Sequence, residues 1–323
     1  MLERKRAQKE HGDVTKRMIS TIIIIIIIII ISCLYIWLFR DMKLLTNSID
    51  YTDTIKLVFD IEEKIYDKSV IFHFYWNGNL NEKCVYSVLS CYYFNVYKNK
   101  HKIIVWLENN TSNTYNEEIS KYAEIRYFSL QDEQLNTGFV KDDVYYNKSV
   151  LELYSDFVRS LLLYNYGGVW LDLDCFVLRS FDPLFCKFEN EICLYRWENQ
   201  NYPNNAVYMS LTPKSEKMKN NMMFLIDRRH GWGCYEANLT FDLPLDYLIL
   251  PCSWFDADFI ETPYRSITRT YFFRKTDHVF NFDNFYKGSF CYHWHNQWNT
   301  EIENDSIINQ LVKIIEANLT SIQ

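Results

Sequence analysis

Apolar and polar positions fall along this chain in blocks that predict a limited set of well-separated elements. Val70 to Trp76 is an almost unbroken apolar run closed by Asn77 and Gly78, the pattern of a buried strand. A helical stretch follows from about Glu82 to Tyr97, then a second strand at Ile103 to Leu107 and a third at Ile125 to Phe128. Strand, helix, strand at this spacing predicts a parallel α/β sheet. From Leu151 to Tyr164, the residues Tyr154, Phe157, Val158 and Leu161 make one apolar helix face, with Glu152, Asp156, Arg159 and Ser160 opposite. Gly167 and Gly168 end that helix. Val169 to Leu171 then starts a strand that runs into Asp172, Leu173 and Asp174. Shorter strands are expected at Ile192 to Tyr195, Ala206 to Ser210 and Tyr247 to Leu250, and an amphipathic helix from Ser306 to Ile322. There is no internal repeat and no sign of a second large domain.

The longest apolar block lies near the start. Ile19 to Phe39 is almost wholly apolar, with an uninterrupted isoleucine run from Ile22 to Ile31. About 20 such residues in a helix span a bilayer core, and in lipid the backbone must satisfy itself, which overrides the poor helix propensity of isoleucine. Tyr35 and Trp37 sit at one end as interfacial aromatics do. Arg4, Lys5, Arg6, Lys9, Lys16 and Arg17 precede the run, whereas only Arg40 and Lys43 closely follow it. That imbalance keeps residues 1–18 cytosolic and exports the chain beyond the run. A cleaved signal peptide would have a shorter core and small residues at its end; this one ends in Ile36-Trp-Leu-Phe-Arg40. The expected organisation is therefore a tail over 1–18, a membrane anchor over 19–39, a stem over 40–67 and one catalytic domain over 68–323. The chain is then a type II protein whose domain faces an ER- or Golgi-like lumen or the cell exterior.

Composition narrows the function classes. The 323 residues are 48% hydrophobic and carry a formal charge of -7, which excludes the basic footprint of a nucleic-acid binder. Outside the anchor, the cysteines (Cys84, Cys91, Cys175, Cys186, Cys193, Cys234, Cys252 and Cys291) form an even set without a CxxC pair. Such a set suits disulfides in an oxidising compartment and not a structural zinc site. Sequons at Asn109, Asn110, Asn147, Asn238, Asn304 and Asn318 agree with export.

The chemistry-bearing residues cluster around the glycine doublet. Carboxylates at Asp172 and Asp174, alternate positions at a strand end, project to one side and repel each other when buried. A divalent cation resolves that conflict. Hard oxygen ligands suit Mn2+ or Mg2+ completed by substrate phosphates, and the cation neutralises a departing diphosphate. Asp156 and Arg159, one helical turn apart, form either a surface ion pair or a clamp for sugar hydroxyls and phosphate oxygens. His293, in His293-Trp-His-Asn-Gln-Trp298, offers a further imidazole ligand, and its neighbouring tryptophans a cover that keeps water from the reacting centre. Trp76, at the end of the first strand, is placed to stack on a base where open α/β sheets bind ligands.

The run YSDFVRSLLLYNYGGVWLDLDCFVLRSFDPL, residues 154–184, resembles the glycosyltransferase sugar-binding region containing a DXD motif. That family includes alpha-1,4-galactosyltransferases, alpha-1,4-N-acetylglucosaminyltransferases and the initiating alpha-1,6-mannosyltransferase of yeast. The family pattern of S-D-x-x-R, a leucine-rich helix and G-G-[IV]-Y-x-D-x-D is kept, with Trp170 in place of the tyrosine. Ile71 to Trp76 and His293 to Asn296 resemble further family segments, and Asn204-Asn205 an N-N element. The resemblance implies a GT-A fold, Rossmann-like, with a mostly parallel sheet flanked by helices. It implies transfer of a hexose or N-acetylhexosamine, with retention of configuration, from a UDP- or GDP-sugar to a glycan, glycolipid or glycoprotein. By position Asp172 and Asp174 would hold the metal, His293 would contact it or the diphosphate, Asp156 and Arg159 would bind the donor sugar and Trp76 the base. Two rivals stand beside this. A haloacid-dehalogenase-like phosphatase also places D-x-D after an apolar strand, but Cys175-Phe176 follow where it needs a small residue and a hydroxyl. A membrane-anchored, non-catalytic carbohydrate-binding protein would tolerate loss of the carboxylates that this chain retains.

Overall fold

The computed structural model describes residues 64–97, 99–108, 114–138, 151–196, 203–227, 247–259 and 265–321. The tail, the anchor and nearly all of the stem expected from sequence lie outside these residues. Among the described residues no helix is long and apolar enough to cross a membrane.

A seven-stranded sheet forms the centre; in chain order the elements of the fold are β1 (Ile71–Trp76), α1 (Glu82–Cys91), β2 (Lys102–Leu107), α2 (Thr114–Ile119), β3 (Glu124–Tyr127), α3 (Leu130–Asn136), α4 (Leu151–Tyr166), β4 (Gly168–Leu171), β5 (Cys175–Val177), α5 (Asp182–Phe188), β6 (Ile192–Arg196), β7 (Asn204–Ser210), α6 (Glu216–Asp227) and β8 (Tyr247–Pro251). After β8 come α7 (Arg265–Tyr271), β9 (Cys291–His293) and α8 (Ile307–Thr320). The sheet order is β3-β2-β1-β4-β7-β6-β8, and β5 pairs with β9 in a separate ribbon. All pairings from β3 through β4 are parallel, as is β6 with β8, whereas β7 runs antiparallel to both β4 and β6. This is the mostly parallel α/β architecture expected, and it fits a GT-A fold. The expected helical stretch from Glu82 to Tyr97 is present: after Cys91 it widens into a π-helical turn, Tyr92–Val96.

Both faces of the parallel strands are covered, which is why β1 and β2 read as continuous apolar runs and not as alternation. On one face Tyr75, Ile104, Trp106 and Trp170 pack with Tyr154, Phe157, Val158 and Leu161 of α4. On the other, Phe72 meets Phe181 and Phe185, with ring centroids 5.6 and 5.9 Å away. Chain order moves from β1 outward through β2 to β3, then returns to β4 on the opposite side of β1. The carboxyl ends of β1 and β4 therefore flank the crevice where the strand order reverses, the usual ligand site of open α/β sheets.

The entry into β4 depends on two residues without a Cβ. Gly167 and Gly168 have φ of +65° and +114°. A Cβ on Gly168 would lie 2.2 Å from the carbonyl oxygen of Ile71, and one on Gly167 would lie 2.4 Å from that of Leu211. Only bare backbone brings β4 this close to β1. The buried His73 secures the same junction. Its Nε2 donates to the Gly167 carbonyl at 2.9 Å and its Nδ1 accepts from Trp106 Nε1 at 3.1 Å. Complete burial pulls this imidazole down to about 4, against the smaller opposing pull of the Gly167 bond.

Two outcomes are expected. Gly168→Ala should lower unfolding free energy by about 2 kcal/mol or more, against about 1–2 kcal/mol for Gly138→Ala, where an added methyl meets nothing. Equal losses in denaturant melts would remove the close approach as the cause. For His73, the folded value lies below the unfolded one, so the unfolded chain binds the extra proton and stability is lost as pH falls from about 6.5 towards 4. NMR should find its ring neutral down to about pH 5; a ring charged near pH 6 contradicts this.

Candidate active site

At the end of β4 the chain leaves the sheet at once. Asp172 N–H bonds the Ala206 carbonyl at 2.8 Å, and Cys175 N–H returns to the Asp172 carbonyl at 2.9 Å. Asp172, Leu173 and Asp174 thus form a tight turn that reverses into β5, not the extended strand end expected from sequence. The turn is held from below by α1, whose Ser87 Oγ donates to the Leu173 carbonyl at 2.6 Å. Ser90 Oγ accepts from Val177 N–H at 2.9 Å. Small hydroxyl side chains let the helix pack close while satisfying turn and ribbon backbone groups that have left the sheet ladder.

One flank of the turn is neutralised by α4. The face bearing Asp156 and Arg159 is not the solvated side of the helix: both residues are buried. Arg159 Nη2 lies 3.2 Å from Asp156 Oδ1 and 3.4 Å from Asp172 Oδ1. Its Nη1 donates to the backbone and side-chain oxygens of Asn205 on β7, and Asn205 Nδ2 donates to Asp156 Oδ1 at 3.0 Å. Trp170 Nε1 also donates to Asp172 Oδ1, at 2.6 Å. Of the two readings open for Asp156 and Arg159, the exposed ion pair is therefore excluded. The pair is a buried bridge from helix to turn, and removing either partner would strand a charge at low dielectric.

The other flank is built by β9. Cys175 pairs with His293 across the ribbon, which sets the imidazole beside the turn. His293 Nε2 lies 3.3 Å from Asp174 Oδ2. Beyond β9, His295 and Asn296 adopt φ of +49° and +55°, so the backbone curls and Asn296 N–H donates to Asp174 Oδ2 at 2.8 Å. Burial opposes charge on Asp174, but His293 and the Asn296 N–H outweigh it and hold the carboxyl at about 2. Burial likewise opposes charge on His293, yet Asp174, Asp256 and Asp172 together raise it to about 9. Asp172 is pushed up by burial, pulled back by Arg159 and raised again by Asp174. Its side chain keeps 27% exposure, which tempers the burial and makes it the carboxylate of the pair that reaches solvent.

The structure thus brings Asp156, Arg159, Asp172, Asp174 and His293 into one connected cluster. Ligand atoms of Asp174, Cys175 and His293 all lie within 4.8 Å of one another. A carboxylate and an imidazole make a donor pair that fits a divalent cation; Cys175, which no sequence pattern singles out, adds a softer atom, while Asp172 is not part of this close group and is held by Trp170 and Arg159. Trp76 stands at the neighbouring strand end, its ring 4.5 Å from that of Trp298 and its Nε1 donating to the Asn79 carbonyl. The cover expected from the tryptophans is half corrected: Trp294 is fully buried against Phe273 and Trp298, and only Trp298 keeps surface. That segment is fastened to α1 by Lys83, whose Nζ donates to the Gln297 and Trp298 carbonyls and lies 3.9 Å from the Phe273 ring centre. The seven described cysteines are free thiols, so the disulfides that an oxidising compartment favours are not found among described residues. A cavity of about 540 Å³ lined by Lys64, Tyr93, Phe94, Asn99 and Asp182 shares no residue with the cluster.

Sequence reading missed Tyr195, on β6, and Asp256, beyond the end of β8. Both are fully buried, and both face His293 from segments far from it in the chain. A single tyrosine and a single aspartate carry no periodic or motif signal.

Comparison with known proteins meets this geometry at its centre. The family described as "Glycosyltransferase sugar-binding region containing DXD motif" matches residues 97–188, from the turn before β2 through α5. No curated protein is similar enough to match. Among solved structures, the PaToxG glycosyltransferase is similar at TM-score 0.37 and 18% identity, over 49% of this chain and 60% of that one. GlyE of Streptococcus pneumoniae TIGR4 is similar at TM-score 0.49 and 14% identity, over 79% of this chain and 64% of that one. Mouse xyloside xylosyltransferase 1 is similar at 0.44 and 13%, over 73% of this chain and 100% of that one. The chain therefore spans less than two thirds of the length of PaToxG and of GlyE. Residues 97–188, which build the acidic turn and the helix α4 that flanks it, match the sugar-binding region of the DXD glycosyltransferases.

Proposed function

We propose that the chain moves a hexose or N-acetylhexosamine from a UDP- or GDP-sugar to a hydroxyl of a glycan, glycolipid or glycoprotein, with retention of configuration and with a divalent cation. The observation that carries this reading is the acidic turn itself: Asp172 and Asp174 at the strand-order reversal, with Arg159 on one side and His293 on the other. In the reaction the bond from the anomeric carbon to the leaving diphosphate breaks, a bond to the acceptor oxygen forms, and the acceptor hydroxyl gives up its proton. Asp174, Asp172 and His293 would hold the cation, and an imidazole in the set favours Mn2+ over Mg2+. Such a cation, when bound, supplies charge neutralisation for the leaving diphosphate. Asp156 and Arg159 would bind donor hydroxyls and phosphate oxygens from the α4 side, their geometry fixed in advance by Asn205. Trp76 would carry the base. Preorganised charge of this kind costs nothing to arrange at the moment of reaction.

A panel of nucleotide-sugars offered to the full chain in detergent should give nucleoside diphosphate release from one of them with Mn2+ and none with chelator. Asp174→Asn should reduce that release at least about 100-fold. Turnover indifferent to the substitution would remove the turn from the mechanism.

We also propose that residues 19–39 anchor the chain with 68–323 on the lumenal or external side, on the strength of the isoleucine run and the preceding basic residues. Expressed in a secretory host, the protein should acquire glycan at one or more sequons and lose it to endoglycosidase. A protein that carries no glycan and is released from membranes by alkaline carbonate argues against the anchor.

A further inference from the structure

Asp256 is wholly buried, yet none of the steps above uses it. Its backbone is fixed by the short turn after β8, where its N–H bonds the Cys252 carbonyl at 2.8 Å. Its carboxylate accepts from His295 Nε2 at 2.9 Å and from the Tyr195 hydroxyl at 3.4 Å, and stands 3.8 Å from His293 Nδ1. Tyr195, equally buried, sits between them with its oxygen 3.0 Å from His293 Nδ1. The direction of this chain depends on whether Nδ1 carries a proton, and the arrangement that also satisfies Asp256 is the one in which it does. His293 Nδ1–H donates to the tyrosine oxygen, and the tyrosine O–H donates to Asp256. The His295 ring lies against that of His293 with centroids 3.9 Å apart, and its own N–H is turned onto Asp256. When a cation displaces the proton between Nε2 and Asp174, the remaining ring proton is the one on Nδ1, and Nε2, the atom that faces Asp174, is left bare.

We propose that Asp256, acting through Tyr195, is the positioning residue that fixes the orientation and tautomer of His293, so that Nε2 is presented with Asp174 to a divalent cation. This rests on the metal reading of the acidic turn. The nearby Asp258 does not share the role: its carboxylate is engaged by the hydroxyls of Tyr286 and Tyr292. A different arrangement, in which Asp256 takes a cation of its own with His293 and His295, has ligand atoms within 4.8 Å of one another. It would, however, replace a direct 2.9 Å bond between His295 and Asp256 and take the Asp256 carboxylate from the buried Tyr195 hydroxyl. The geometry favours the orienting role, because carboxylate-supported imidazoles bind metal more tightly than unsupported ones.

The test is Mn2+ binding to the full chain in detergent without donor, monitored by free-Mn2+ paramagnetic resonance and by electron-spin-echo modulation from a coordinated imidazole nitrogen. Wild type should bind with a nitrogen signal that His293→Gln removes. Tyr195→Phe, which deletes one oxygen and keeps the packing, should weaken Mn2+ about 10- to 100-fold. At saturation it should diminish the nitrogen signal, with the melting temperature of the metal-free protein little changed. Asp256→Asn should do the same if it folds. Wild-type affinity and an intact nitrogen signal in Tyr195→Phe would overturn the proposal while leaving the metal reading in place. Binding lost in His295→Ala but kept in Asp174→Asn would overturn it in favour of a cation on Asp256. Wild-type protein that takes up no Mn2+ would overturn the metal reading and this proposal with it.

Discussion

Two carboxylates confined to one tight, poorly solvated turn set the terms for everything around them. At low dielectric, like charges this close cannot both stay ionised without compensation. The fold supplies it from opposite sides, a guanidinium from α4 against Asp172 and an imidazole from β9 against Asp174. Neither compensator is itself free to move. Arg159 is tied to Asp156 and Asn205, and His293 to Tyr195. The result is a site whose charges are held in place by the scaffold before any ligand arrives, the condition under which electrostatic catalysis is effective.

The scaffold reaches that state by close packing at one junction. Gly168 allows β4 to lie against β1 without a Cβ between them, Gly167 does the same against the chain after β7, and His73 bolts β1 to this entry with its proton fixed on Nε2. Ser87 and Ser90 on α1 then catch the turn and β5 as the chain leaves the sheet. Lys83, one turn earlier, ties the same helix to the segment that carries Trp298 over Trp76. A single helix therefore fastens both the acidic turn and the aromatic edge beside it. A displacement of α1 would be felt at both.

Much of the fold was legible along the chain. Fully buried parallel strands leave long apolar runs, and α4 leaves a strong helical period, so β1, β2, α4, β6, β7, β8 and α8 were located within a few residues. The strand end was misjudged, because periodicity extends an apolar strand until a polar residue stops it. Here the last ladder bond is Asp172 N–H to Ala206, and the stop is the turn closed by Cys175 N–H on the Asp172 carbonyl. The burial of Asp156 and Arg159 was open for a similar reason. A polar helix face reads as solvated unless something across from it is known to be polar too, and Asn205 is contributed from β7.

The sequence alone determined the chemistry available: a doublet of glycines, two aspartates after it, an Asp and an Arg one helical turn apart, and a histidine near the end. These are local in the chain, and the resemblance rests on their spacing. Which histidine nitrogen faces which carboxylate, and that Tyr195 and Asp256 stand behind it, only the tertiary structure decided. Those contacts join β6, the turn after β8 and β9, segments separated by 61 and 98 residues. Long-range contacts of single polar residues leave no periodic trace, because their partners are chosen by how the sheet and ribbon pack and not by what lies next to them in the chain.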